Sequence, residues 1–386
     1  MEREHRMDWL IGKKDDPKKW IAQLKDPAKQ TQAANELLRL GPASVDGLME
    51  AVIGKDFHLA ALASQLLVRM GAAAIPRLGE ILASAHPETR QRVADILGET
   101  RLPGAVPPLT QAARGEFFTV RAKAASALAK IGDPQAVPVL IELLSDKESA
   151  VRQAAALAVG KFKDPRCLVR LSDVLLEDPQ IEVRQAAAQG LSESRLAQSV
   201  PYLLDAMDDS FWWYGRDGAA KPLLDAILSF GADSVLPLCE YLHHTEGNVR
   251  FHAAQLLGQI GDPRAIEPLG MALYDVHNVV GEAAAQALAR YGAPALGVLE
   301  EATRAVESPI RLHALLGLSR IQDERALPLI AELIHDPDRI VMKQAIQSLA
   351  DTRNPKALPL LEPFAADRAD RERSMLARQA MRTLQQ

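Results

Sequence analysis

The stretch Val120–Leu157, VRAKAASALAKIGDPQAVPVLIELLSDKESAVRQAAAL, decides the fold. It reads as one helix, a Gly-Asp-Pro break, a second helix, a short polar turn, and then the first helix starting again. Val120-Arg121 and Val151-Arg152 open the two copies, about 31 residues apart, and each precedes an Ala-rich run. A unit that copies itself at that period marks a solenoid, in which each unit packs only on its neighbours.

The grammar has two halves. One is a junction: Gly132-Asp133-Pro134-Gln135-Ala136-Val137-Pro138, again at Gly261 to Pro268, and as Asn354-Pro355-Lys356-Ala357-Leu358-Pro359. Asp or Asn before Pro predicts an N-cap followed by Pro at the first helical position, where its missing N–H costs nothing. The second Pro falls within the first turn of the same helix. The preceding Gly supplies a left-handed end to the helix before it. The other half is a helix of the form Val-Arg-x-x-Ala-Ala-x-x-Leu, in which Val120, Ala124, Leu128 and Ile131 define one buried stripe. Laid along the chain, this grammar predicts about twelve helix pairs. Their second helices end near Leu40, Met70, Leu97, Ile131, Phe162, Glu193, Phe230, Ile260, Tyr291, Ile321, Ala350 and Leu384.

Composition agrees. Aromatics are 4% of the 386 residues while apolar residues are 48%, so the core must be built from Ala, Leu, Val and Ile, which suits closely spaced helices. Cys167 and Cys239 lie far apart with no CxxC spacing, which excludes a disulfide framework or a cysteine zinc site. No apolar run approaches the roughly 18 residues that span a bilayer, so a cytoplasmic protein without a membrane partner is expected. The net charge of -5 argues against a basic nucleic-acid face. It is concentrated: residues 197–310 carry 6 Lys/Arg against 15 Asp/Glu, whereas residues 1–196 carry 27 against 25.

The VRxxAA helices and GDPxAxxPL junctions resemble the HEAT-repeat family, specifically its phycobilisome-lyase-like class. The resemblance covers nearly the whole chain. It implies an all-α right-handed superhelix over residues 17–386, preceded by a polar segment at 1–16, with first helices convex and second helices concave. It also implies a scaffold or adaptor that binds another protein, expected along the concave face and turn ridge. The alternative within the family is a bilin lyase-like or other enzyme subunit. The segment Arg250 to Gln259 is similar to a metal-binding helix of deoxyhypusine hydroxylase, an iron enzyme on this fold that uses His-Glu pairs. Here His252 is followed by Ala253 and His313 by Ala314, so iron chemistry is not expected.

Arg121, Arg152, Arg184, Arg250 and Arg311 recur at one repeat position and lapse at Gly281 and Met342. They read as a structural ladder, each bonding an Asp or carbonyl in a turn of a neighbouring unit, rather than as a basic strip for phosphate. Asp146 and Asp178 are placed for this. Lys123, Gln153, Gln185, Gln189 and His252 are expected to face the concave side as contact residues. His243, His244, Glu246 and His252 form a dense histidine group whose spacing does not make a metal site.

One unit breaks the ruler. Residues 208–218, DDSFWWYGRDG, lengthen their repeat by about five residues and hold two of the four tryptophans. Phe211, Trp212, Trp213, Tyr214 and Arg216 are the kinds of residue enriched in binding hot spots, and the insert falls in a turn. Two readings stay open: a hot spot that anchors a partner, or a patch that covers a defect where Lys221-Pro222 interrupts the next helix. With no phosphate loop, GxSxG or HExxH in the chain, no catalytic residue, metal or cofactor is expected. The expected partner is a protein or peptide, basic or amphipathic to suit the acidic middle, and nucleic acid is disfavoured.

Overall fold

The Phe118–Ile131 helix buries Val120, Ala124 and Leu128 on one side, together with Ala125 and Ala127. It ends at Gly132 in the left-handed region, φ 71°. Fully burying a Leu or Val contributes about 1.5–3 kcal/mol, so a stripe repeated in every unit is the main source of stability. The computed structural model describes residues 16–213 and 218–385, and among these there is no β-strand.

The junction differs from the single helix start that the proline spacing suggests. Pro134–Ala136 forms its own 3-10 turn, and the α-helix begins afresh at Val137 with Pro138 in its first turn. Pro263–Ala265 with Ile266–Ala272, and Pro355–Ala357 with Leu358–Ala365, repeat the division. Asp133 accepts a hydrogen bond from the Gln135 amide at 2.9 Å, and Asp262 from Arg264 at 3.0 Å, which closes the tight turn. The chain then bends a second time, where a proline lacking its N–H leaves no donor unsatisfied.

The chain divides into two compact units, one ending at Ser199 and the other beginning at Val200. Among the described residues the first contains six helix pairs, from Pro17–Gln23 with Gln30–Leu40 through to Pro165–Glu177 with Ile181–Ser194. The second also contains six, from Ser199–Asp205 with Lys221–Leu228 through to Leu358–Ala365 with Arg371–Leu384. Within each unit, second helices pack against second helices at very close range. A Cβ added to Gly258 would lie 2.7 Å from the Ala287 Cα of the next second helix. That approach explains the preference for Ala and Gly over aromatics. No single described helix is long and apolar enough to cross a membrane.

Candidate functional site

The recurrent arginines are saturated inside the fold. Arg121 donates through Nε and Nη2 to both carboxylate oxygens of Asp146 at 2.7 and 2.8 Å, and through Nη1 to the Gly115 and Glu116 carbonyls. Arg152 holds Asp178 at 2.6 and 3.1 Å, Arg250 holds Asp275 at 2.5 and 2.9 Å, and Arg311 holds Asp336 at 2.6 and 2.7 Å. Each therefore reads the carbonyls of its own turn and clamps the Asp of the following repeat. Arg184 is buried and donates to the Asp178 carbonyl at 2.6 Å. Bidentate pairs of this kind are the strong ones. Burial pushes the Asp146 and Asp275 carboxyls up, but the arginine and backbone hydrogen bonds outweigh it and hold both below their ordinary value. Where the ladder lapses at Gly281, the His313 ring fills the space, since a Cβ there would lie 2.3 Å from its Nδ1. His313 Nδ1 lies 2.9 Å from the Leu273 carbonyl of the same turn.

The aromatic insert packs inward. Ser210–Trp212 is a 3-10 turn capped by the Asp209 carboxylate, and Trp212 is 1% exposed. This corrects the hot-spot reading for Trp212: it is a core residue. The physical reason lies in the second helix of that pair, Lys221–Leu228, which has 8 residues where Gly247–Ile260 has 14. The shorter helix has less apolar surface to offer, and the indole is buried in the same repeat. Lys221-Pro222 begins that short helix rather than interrupting it. Trp213 is half-buried, donates its indole N–H to the Met207 carbonyl at 2.9 Å, and stacks on His252 with ring centroids 4.2 Å apart. Phe211 is half-buried as well. Tyr214 and Arg216 lie outside the described residues.

The stack also moves His252 out of the set of open contact residues. Trp213 covers one face of its ring, the Phe251 ring meets it edge-on at 5.0 Å, and burial holds it below the ordinary imidazole value. His244 instead sits over Tyr241, and its Nδ1 accepts from the Glu246 amide at 3.1 Å. Among the described residues no three His, Cys, Asp or Glu side chains converge on a point that would hold a metal. Burial pushes the Cys167 thiol up to about 11 and raises Cys239 too, so neither is a thiolate near neutral pH. Of the second-helix residues, Gln153 is exposed, Gln185 half-buried, and Gln189 hydrogen-bonded to Glu193 at 2.9 Å. Lys123 is tied to Asp95 at 2.9 Å.

A surface whose residues sequence reasoning did not single out runs along the turns between first and second helices in the second unit. Val276 is 87% exposed, Val306 89% and Ile340 66%. They fall in two rows at matching repeat positions: Val276, Val306 and Pro337 in one, Val279, Pro309 and Ile340 in the other, all exposed. Tyr274 lies beside them, its hydroxyl raised by burial and by the neighbouring charges of Glu301 and Glu307. Those two carboxylates are exposed and form no ion pair among the described residues. In the first unit the same positions hold Glu116, Lys147 and Pro179, and Thr119, Ala150 and Glu182. The missed signal was periodic: Val and Ile recurring at turn positions where these repeats of the first unit carry neither.

A family model described as HEAT repeats matches residues 75–158, 106–191, 140–223, 225–289 and 296–382, well over half of the chain. No curated protein matches the sequence. Among solved structures, the karyopherin Kap121p bound to the SUMO protease Ulp1p is similar with a TM-score of 0.55 and 14% identity, over 95% of this chain and 49% of that one. The chain thus spans about half the length of that karyopherin. Human deoxyhypusine hydroxylase is 23% identical over 67% of this chain and 98% of its own, with a TM-score of 0.31. The CpcE–CpcF phycocyanin lyase of Nostoc sp. PCC7120 is 24% identical over 62% of this chain and 94% of its own, with a TM-score of 0.32. At these identities the likeness speaks to fold alone.

Proposed function

The chain belongs to the HEAT-repeat family, and from that premise we propose that it is a non-catalytic scaffold that binds a basic, amphipathic segment of another protein along the turn ridge of its second unit. The observation that carries the reading is the paired rows of Val276, Val306 and Pro337 beside Val279, Pro309 and Ile340, flanked by the unpaired Glu301 and Glu307. Apolar residues gathered on the surface and rimmed by charge mark interaction sites. Neighbouring second helices stand about 8–10 Å apart, so three turns span roughly 20 Å, the length of a helix of about 13 residues. Apolar anchors on one face of such a helix fit the rows, and lysines at its margin fit the carboxylates. Kap121p, whose structure holds Ulp1p, supplies a precedent for protein binding on a like fold.

A synthetic 14-residue Leu/Lys amphipathic helix is the probe. Titration by calorimetry should give saturable binding to the wild type. Val276→Ser, Val306→Ser and Ile340→Ser together should weaken it at least about tenfold, because each removes roughly 1 kcal/mol of apolar contact. Glu301→Gln with Glu307→Gln should lower the affinity further at low salt. Undiminished binding by the triple variant contradicts the reading.

A further inference from the structure

On the second-helix side of the same unit, away from the turn ridge, lies a hollow of about 380 Å³. Its floor is the close contact of Gly258 with Ala287, where two helices approach without side chains between them. Its walls are Gln255 and Gln259 from one second helix, Gln286 and Arg290 from the next, and Arg320 from the third, with no carboxylate among the lining residues. Gln259, Arg290 and Arg320 occupy one repeat position, as Gln255 and Gln286 occupy another.

Among the described residues the two arginines have no partner of opposite charge. In the first unit the corresponding row is self-neutralised: Lys130 pairs with Glu99 at 2.7 Å and Lys161 with Glu193 at 3.9 Å. Arg290 reaches only the Gly258 carbonyl, at 3.5 Å, and Arg320 forms no ion pair among the described residues. Asp351, next in the row, accepts from Gln347 at 2.7 Å instead. Two guanidiniums held side by side in a concave site, with no carboxylate to meet them, leave a local positive potential inside a chain of net negative charge.

We infer that this hollow binds an acidic peptide segment in an extended conformation, Arg290 and Arg320 each taking one carboxylate. Arginines on adjacent second helices stand about 8–10 Å apart. A polyproline II chain rises about 3.1 Å per residue with three residues per turn, so carboxylates on every third residue meet both arginines from one face. A single phosphate is too small to bridge them. The amides of Gln255, Gln259 and Gln286 each offer a donor pair and an acceptor, the complement of a peptide group. This site is independent of the ridge and takes a ligand of opposite charge.

The test uses the full chain and a fluorescein-labelled peptide of four Glu-Pro-Ser triplets, followed by fluorescence anisotropy. Saturable binding is expected, with each of Arg290→Gln and Arg320→Gln weakening it about tenfold. Thermal midpoints should stay unchanged, because both side chains are exposed. A peptide of Gln-Pro-Ser triplets should bind at least tenfold more weakly, and the ridge triple variant should bind the acidic peptide normally. Equal binding of the Glu and Gln peptides overturns the inference, as does unaltered affinity in the Arg290→Gln/Arg320→Gln double variant. Equally tight binding of a twelve-nucleotide oligothymidylate overturns it too, since the hollow would then be a general polyanion site. Loss of the ridge interaction alone leaves this inference standing and removes only the proposed function.

Discussion

The two units share one grammar and differ in what they show to solvent. In the first, Lys130 and Lys161 are matched by Glu99 and Glu193, and the turn positions carry Glu116 and Lys147. In the second, Arg290 and Arg320 go unmatched and the turn positions carry Val276 and Val306. The buried rungs are the same in both, Arg121 with Asp146 and Arg250 with Asp275. Repeat stability resides in the rungs and stripes, so surface residues are free to diverge. Divergence from a self-neutralised, polar pattern is therefore the place to look for binding.

The largest effect expected from breaking that comparison is at the aromatic insert, which belongs to the second unit by position but to the core by packing. Trp212→Ala should destabilise the second unit by about 3–5 kcal/mol through the cavity it leaves, seen as a fall in its thermal midpoint. Trp213→Ala should cost only about 1–2 kcal/mol, the loss of a stack and one hydrogen bond. Equal effects would show that the gap closes without the indole.

The rungs come next. Arg311→Met leaves the Asp336 carboxylate buried and unpaired and should cost about 3 kcal/mol in denaturant unfolding. Arg152→Met in the first unit should cost a similar amount. Adding Asp336→Leu to Arg311→Met should recover most of the loss, because the buried charge is then gone. A rung that proved dispensable in one unit alone would break the claim that stability is shared equally.

The same rungs set an acid response. Asp146 and Asp275 have folded values below the ordinary 3.8, so the unfolded chain takes up their protons first as the pH falls. Their stabilising contribution is complete above 3.8 and is lost progressively as the pH drops through the depressed folded values. Both units should lose stability in this window, followed by circular dichroism, and Arg121→Met should abolish the Asp146 part. The smallest effect is at Arg353, which follows the Arg339–Asp351 helix with φ 49°, as Arg101 and Arg195 do in their repeats where most others use glycine. Arg353→Gly should stabilise by about 1 kcal/mol by relieving a left-handed side-chain residue.

Much of this was legible in the residues. The second helices end at Leu40, Met70, Ile131, Ile260, Tyr291 and Leu384, as the grammar predicts, because glycine or a cap punctuates most of them. The ladder's chemistry was legible too, but not that Arg121, Arg152, Arg250 and Arg311 clamp the Asp of the following rather than the preceding repeat, a relation set by how helices stack. The proline junction was misread because cap and proline signals do not distinguish a 3-10 turn from an α-helical one. For Trp212 the residues left a hot spot and a packing patch both open, because turn position does not fix burial; its burial decides for packing. The hollow went unseen although Gln255 and Gln286, and Arg290 and Arg320, recur at repeat spacing. What marks them is the absence of a partner, and only the folded neighbourhood reveals that.

On the proposed reading, binding belongs to the turn ridge of the second unit and not to the aromatic insert. Affinity capture from the native cell, quantified by mass spectrometry, compares the wild type with the Val276→Ser/Val306→Ser/Ile340→Ser variant and with Trp213→Ala. The prediction is a protein partner bearing a basic amphipathic segment, lost with the ridge variant and retained with Trp213→Ala. A partner retained by the ridge variant and lost with Trp213→Ala, at a temperature well below both thermal midpoints, would contradict it.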